Sequence, residues 1–175
     1  MSFNKIKSIT KGKNLDTSKI EKYYYSYKEF LKDTIELIKL SKEFKADVLL
    51  GVARGGLTLS HSMGEALDIR DVYNLNSIHY EGTIKLDTFD IFNIPDLSKA
   101  SKVLILDDIV DSGETMVEVL KLLREQFPNV EFKIATLFYK KTALIQPDYA
   151  VKEATGWIDF FWEKDIKAVI GSRSD

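Results

Sequence analysis

The chain has 175 residues, and 25 Lys plus Arg nearly balance 27 Asp plus Glu, for a formal net charge of −2. That length fits a single domain, and near-neutrality argues against a nucleic-acid protein working by bulk positive charge. With no cysteine and two histidines, His61 and His79, the sequence excludes disulfides, thiolate metal sites, cysteine nucleophiles and a His-rich metal cage.

Residues 1–14 lack the apolar core of a signal peptide, and no apolar run approaches the roughly 20 residues that span a bilayer. The expectation is a cytoplasmic protein that handles small molecules, with no nucleic-acid partner and no membrane span. Residues 1–25 read as a polar, basic-leaning N-terminal lead. Ser26 and Glu29 have the spacing of a capping box. Behind them Tyr27, Leu31, Thr34, Ile35 and Ile38 recur at helical spacing, which predicts an amphipathic helix to about residue 44. Residues 47–52 (DVLLGV) form a short apolar run typical of a strand buried on both faces. Residues 57–67 predict a second helix, in which His61 is expected to be a partly buried structural residue. Residues 71–76 predict a weaker strand. The stretch 79–99 has little consistent periodicity and reads as a functional loop. Residues 102–106 (KVLIL) predict a buried strand running into Asp107 and Asp108. Helix 115–127, strand 132–138 and a short edge strand over 149–151 follow. Strands alternating with helices imply βαβ units, hence an α/β fold with a mainly parallel central sheet and helices on both faces. Ligands of such sheets sit beyond the carboxyl ends of the strands, so those loops carry the chemistry.

The most informative segment is residues 103–115, VLILDDIVDSGET. Side chains alternate in a strand, so Asp107 and Asp108 are expected to share a direction only if the chain turns there. Asp111, Ser112, Gly113, Glu114 and Thr115 then precede a helix. Successive backbone N–H groups and the helix dipole make such a site an anion nest. Gly113 permits a turn with positive φ, and Ser112 and Thr115 supply hydroxyl donors. Carboxylates beside a phosphate cradle suggest ribose hydroxyls, a divalent cation, or both. Taken alone, Asp111 and Ser112 would equally serve as an ordinary helix cap with Asp107 and Asp108 solvated.

The whole string resembles the phosphoribosyl-pyrophosphate (PRPP) signature of the type I phosphoribosyltransferases, with Ser112 in place of Thr. The resemblance implies that fold, with a small C-terminal and lid hood over the base site: lid 77–99, base-binding hood 139–165. It places Asp107 and Asp108 near the ribose hydroxyls and Mg2+, and assigns Asp111, Ser112, Gly113, Glu114 and Thr115 to the 5′-phosphate. Glu114 takes the family's variable position, so its charge is expected to point away from the phosphate. The run Ala53-Arg54-Gly55-Gly56-Leu57 resembles the family's pyrophosphate loop, with Ala53 for the usual Ser. It assigns Arg54 and Gly55 to the leaving group. Arginine offers a permanently charged fork, and paired glycines let backbone N–H groups approach an anion.

Three features bear on the acceptor. Lys140, after strand 132–138, can donate to a carbonyl oxygen. Trp157 and Ile158 open an aromatic late segment able to hold a flat heterocycle. Asp111 sits where a carboxylate could meet a ring nitrogen. Together they resemble the 6-oxopurine branch, the xanthine-guanine and hypoxanthine enzymes. Phe138-Tyr139-Lys140 and Trp157-Ile158 match its motifs, whereas Phe161-Trp162-Glu163 has Phe for the usual Pro.

That resemblance implies transfer of the phosphoribosyl group of PRPP to N9 of xanthine, guanine or hypoxanthine through an oxocarbenium-like sugar. Asp111 acts as general base at N7, Lys140 donates to O6, Trp157 stacks on the base, and Ile158 offers backbone groups to the purine edge. Arg54, Gly55 and, on lid closure, Lys85 meet the pyrophosphate, with Mg2+ as cofactor and a homodimer or homotetramer as the assembly. The competing expectations are a pyrimidine phosphoribosyltransferase and a non-catalytic PRPP-sensing regulator.

Overall fold

The computed structural model describes residues 22–80 and 88–171. Six strands form one sheet in the order β4-β3-β2-β5-β6-β7: β2 Val48–Ala53, β3 Val72–Tyr80, β4 Thr88–Phe92, β5 Lys102–Val110, β6 Glu131–Tyr139 and β7 Tyr149–Glu153. All neighbours are parallel except β4, which runs antiparallel to β3. The helices are α1 Tyr27–Ser41, α2 Gly56–Leu67, α3 Glu114–Gln126 and α4 Phe161–Gly171.

Both sheet faces are covered, as the alternation of elements predicts. On one face Phe30 and Leu37 of α1 and Leu59 and Met63 of α2 pack on Leu49, Leu104, Leu106 and Leu137. On the other, Met116, Val119, Leu120 and Leu123 of α3 cover Leu50, Val103, Ile105 and Ile134. The continuous apolar runs of β2 and β5 follow from burial on both sides. Helix α1 starts on the expected capping box, Ser26 Oγ accepting from the Glu29 N–H and Glu29 from the Ser26 N–H. It ends at Ser41, and a 3-10 turn carries the chain through Phe44.

Four expectations need correction. Residues 22–25 are not part of a lead. Strand β1 Lys22–Tyr25 pairs in parallel with β8 Trp157–Phe160 in a separate two-stranded sheet. Tyr25 anchors it: fully buried, its ring lies edge-on to Phe138 and Phe160 at 4.9 and 5.8 Å. The stretch 79–99 is not wholly irregular, because β3 runs to Tyr80 and β4 pairs with it as an edge strand. Short antiparallel edge strands need only a partner backbone, not a periodic apolar face, which is why the pattern did not reveal β4. His61 is exposed on α2 rather than partly buried. Finally, no turn occurs at Asp107-Asp108; β5 continues to Val110.

β2 leads outward to β3 on one side, and β5 leads outward to β6 on the other. The crevice between their carboxyl ends is the topological switch point of the sheet, the place where open α/β sheets bind ligands.

Candidate active site

At that switch point lies a cleft of about 620 Å³, lined among others by Arg54, Gly55, Ser77, Asp107, Asp108 and Thr115. The loop after β2 and the end of β5 interlock there. A Cβ on Gly56 would stand 2.1 Å from the Leu106 carbonyl oxygen, and one on Gly55 would stand 2.6 Å from the Asp108 carboxyl carbon. The two glycines therefore let the loops pack, as well as clearing space for an anion. The Ala53–Arg54 peptide is cis. Arg54 is exposed, and Gly55, the N-cap residue of α2, supplies no side-chain cap.

Asp107 and Asp108 both line the cleft although they are consecutive in a strand. Asp107 Oδ1 bends along the chain and accepts the Asp108 backbone N–H at 2.9 Å. The pairing register passes from Asp107 opposite Thr136 to Ile109 opposite Phe138. Burial, then the charge of Asp108, pushes Asp107 well above the ordinary carboxylate range. Asp108 is pushed up to about 6 by burial, with a further push from the charge of Glu163. Two half-buried carboxylates that resist ionisation in the bare protein are a natural partner for a cation. Among the described residues no group of three or more His, Cys, Asp or Glu could hold a metal. Two carboxylates nonetheless fit Mg2+, which is usually held by one or two of them together with substrate phosphates.

Beyond Val110 the segment expected to cradle a phosphate turns into α3. Gly113 has φ of 84° and precedes α3 without a side-chain cap. A Cβ there would lie 3.0 Å from the Ile145 nitrogen, so sterics and backbone conformation both demand glycine. Ser112 O accepts the Leu144 N–H at 2.8 Å, tying the cradle to the loop after β6. Glu114 is exposed, and Ser112 Oγ donates to its Oε2 at 3.4 Å. Thr115 alone of the cradle side chains lines the cleft with Arg54, Asp107 and Asp108.

The same β6 loop brings Lys140 to Asp111, Nζ to Oδ1, at 2.5 Å. The Lys140 N–H also donates to the Val110 carbonyl at 2.9 Å. Neighbouring Lys141 pairs instead with Glu153 at 2.5 Å. Trp157 and Ile158 sit on β8: Ile158 packs towards the core, while the Trp157 indole is 58% exposed. Lys85 lies outside the described residues.

A glycine turn into a helix, flanked by an arginine loop and an acidic pair at a sheet switch point, suits an anionic ligand. A family model described as the phosphoribosyl transferase domain matches residues 19–168. The chain belongs to the phosphoribosyltransferases. It is 32% identical over 151 residues to the hypoxanthine-guanine phosphoribosyltransferase of Lactococcus lactis, covering 79% of each chain. It is 30% identical over 130 residues to the xanthine-guanine phosphoribosyltransferase of Roseobacter denitrificans, covering 69% of this chain and 70% of that one. Among solved structures, the xanthine-guanine-hypoxanthine phosphoribosyltransferase of Helicobacter pylori superimposes with a TM-score of 0.81 at 39% identity. That match covers 86% of this chain and 99% of the other. Among type I phosphoribosyltransferases, the chain therefore most resembles the 6-oxopurine branch, and it shares the fold of that branch.

Sequence reasoning missed the second wall of the phosphoribosyltransferase cleft. Trp162, Glu163, Ile166 and Lys167 of α4 all line it, and Glu163 pairs with Lys167 one helical turn on. The signal was present: Trp162, Ile166 and Ile170 are spaced by four, as are Glu163 and Lys167. The crowd of adjacent aromatics obscured it. Ser77 of β3, whose buried hydroxyl has no hydrogen-bond partner in the structure, was missed as well.

Proposed function

We propose that the chain transfers the 5-phosphoribosyl group of PRPP to N9 of a 6-oxopurine, releasing pyrophosphate and a nucleoside 5′-monophosphate. The observation that carries this reading is the Lys140–Asp111 pair at 2.5 Å. It sets a cation and an anion side by side between the phosphate cradle and the end of β6. A 6-oxopurine offers matching partners on one edge, an acceptor at O6 and an atom at N7 that exchanges a proton. Binding such a base would replace one ion pair by two hydrogen bonds to charged groups.

In this reading the backbone N–H groups of residues 111–115, with the hydroxyls of Ser112 and Thr115, hold the 5′-phosphate. Arg54 and the uncapped start of α2 at Gly55 meet the pyrophosphate and offset the charge it gains on leaving. Asp107 and Asp108 face the ribose hydroxyls and would hold Mg2+. When bound, the ion would supply charge neutralisation for the departing pyrophosphate. Asp111 takes the proton that N7 must shed or share as N9 attacks the anomeric carbon. Lys140 holds O6, Trp157 covers one face of the base, and Ile158 offers the edge of β8 opposite β1 to the purine 2-position. Support for the purine class comes from the names of the bacterial relatives.

The test is pyrophosphate release from PRPP and Mg2+ with hypoxanthine, xanthine, guanine, adenine, orotate and uracil in turn. Turnover with at least one 6-oxopurine is expected. Adenine should be slower by about 5- to 150-fold, since it leaves the Lys140 donor unpaired at a cost of about 1–3 kcal/mol. Lys140→Ala should erode that preference, and Asp111→Ala should cut kcat far more than it weakens PRPP binding. Faster turnover of orotate or uracil than of any oxopurine would overturn the assignment.

A further inference from the structure

We propose that Asp159 is a positioning residue, holding the Trp157 indole in the orientation in which it meets the base. The inference rests on the reading of Trp157 as the stacking platform. Along β8, Phe160 and Ile158 turn towards the core, so Trp157 and Asp159 share the opposite face. The indole is 58% exposed and has little packing of its own to fix it. A platform free to turn must be ordered each time a base binds, and that ordering subtracts from affinity.

What fixes this ring is a hydrogen bond. Trp157 Nε1–H donates to Asp159 Oδ1 at 3.1 Å. The second carboxylate oxygen, Oδ2, pairs with Lys164 Nζ in the first turn of α4 at 3.3 Å. The Asp159 side chain is only 18% exposed, whereas that of Lys164 is 55% exposed, so the carboxylate is the sheltered centre of the relay. Burial works to raise the Asp159 carboxyl, but the bonds from Lys164 and Trp157 outweigh it and leave it below its usual value. It is therefore a charged acceptor at neutral pH, the stronger kind for an N–H donor. The start of α4 is itself tied to β1, because Tyr24 Oη donates to Asp165 at 3.0 Å. The ring is thus referenced to two elements besides its own strand.

The arrangement also explains why tryptophan suits this position. Among aromatic residues without a hydroxyl or a titrating ring, only the indole carries a donor on its edge that leaves both faces free.

Three readouts test the proposal on the full chain. In the substrate-free protein, the indole N–H resonance that disappears in Trp157→Phe should shift upfield in Asp159→Ala. It should largely return in Asp159→Asn, whose amide oxygen still accepts. In steady-state assays, Asp159→Ala should raise KM for the purine base about 3- to 10-fold, the cost of ordering one freed side chain on binding. Both kcat and the KM for PRPP should stay within about two-fold. In a Trp157→Phe background, Asp159→Ala should add nothing, since the donor is already gone. An unmoved resonance overturns the proposal. So does a shifted resonance with unchanged base KM, which would leave a clamp that base binding does not use. The second outcome presupposes turnover by the unsubstituted chain. Absence of turnover with every 6-oxopurine overturns the functional reading first, and this one with it.

Discussion

The attachment of strand β1 to the body of the protein turns on a buried carboxylate, and removing it gives the sharpest stability test. Asp33 of α1 is 3% exposed. Its Oδ2 accepts from the Tyr25 hydroxyl at 2.9 Å and pairs with Lys152 of β7 at 2.6 Å. One carboxylate thus joins β1, α1 and β7. In Asp33→Ala the Tyr25 hydroxyl, on a fully buried ring, loses its acceptor, which costs about 1–3 kcal/mol. The Lys152 side chain is 34% exposed and can turn to water, so the lost ion pair adds only about 1 kcal/mol. Alanine's better helix propensity returns about 0.5 kcal/mol. The net expectation is a loss of about 1.5–3.5 kcal/mol. At about 2–4 °C per kcal/mol for a chain of this size, Tm should fall by about 3–14 °C. Thermal unfolding followed by circular dichroism measures it, in a cycle with Tyr25→Phe. The double variant should lose clearly less than the sum of the singles, because Phe removes the group that Asp33→Ala strands. A fall under about 2 °C, or strict additivity, would refute the reasoning that this carboxylate is the joint.

Further predictions concern the cleft. Because Asp108 is raised to about 6 from an ordinary 3.8, the folded chain keeps a proton that the unfolded chain has already lost. The acidic pair therefore lowers stability progressively as pH rises between those two values, and Asp107, also raised, adds to it. Without metal, Asp108→Asn should match the parent near pH 4 and exceed it near pH 7 by on the order of 1–2 kcal/mol in denaturant titrations. Adding Mg2+ with PRPP should raise the parent's Tm and leave that variant almost unmoved; an equal rise in both would remove Asp108 from the cation site. Gly55→Ala and Gly56→Ala should separate. The first meets only the Asp108 carboxylate, which can swing away, so activity should be lost with a small change in Tm. The second meets the Leu106 backbone carbonyl, so it should cost about 3 kcal/mol or more in stability. Similar Tm values for the two would refute the interlocking of the loops.

Much of this protein is written locally. The apolar runs of β2 and β5, the capping box at Ser26 and the string 103–115 each carry their meaning within a few residues. Strand burial, helix initiation and an anion nest are short-range matters of side-chain type and backbone freedom. Tertiary structure alone decided what depends on distant partners. Strand β1 exists because β8, more than 130 residues later, offers it an edge and Tyr25 a pocket. Asp111 meets Lys140 because β5 and β6 are neighbours in the sheet. The glycines of the β2 loop must lack side chains because β5 ends against them. Asp107 and Asp108 share a cleft because one carboxylate bends to its neighbour's N–H, a detail that strand alternation by itself argues against. Contacts of that kind are fixed by which elements pack together, and sheet order, unlike periodicity, leaves no mark in the local pattern.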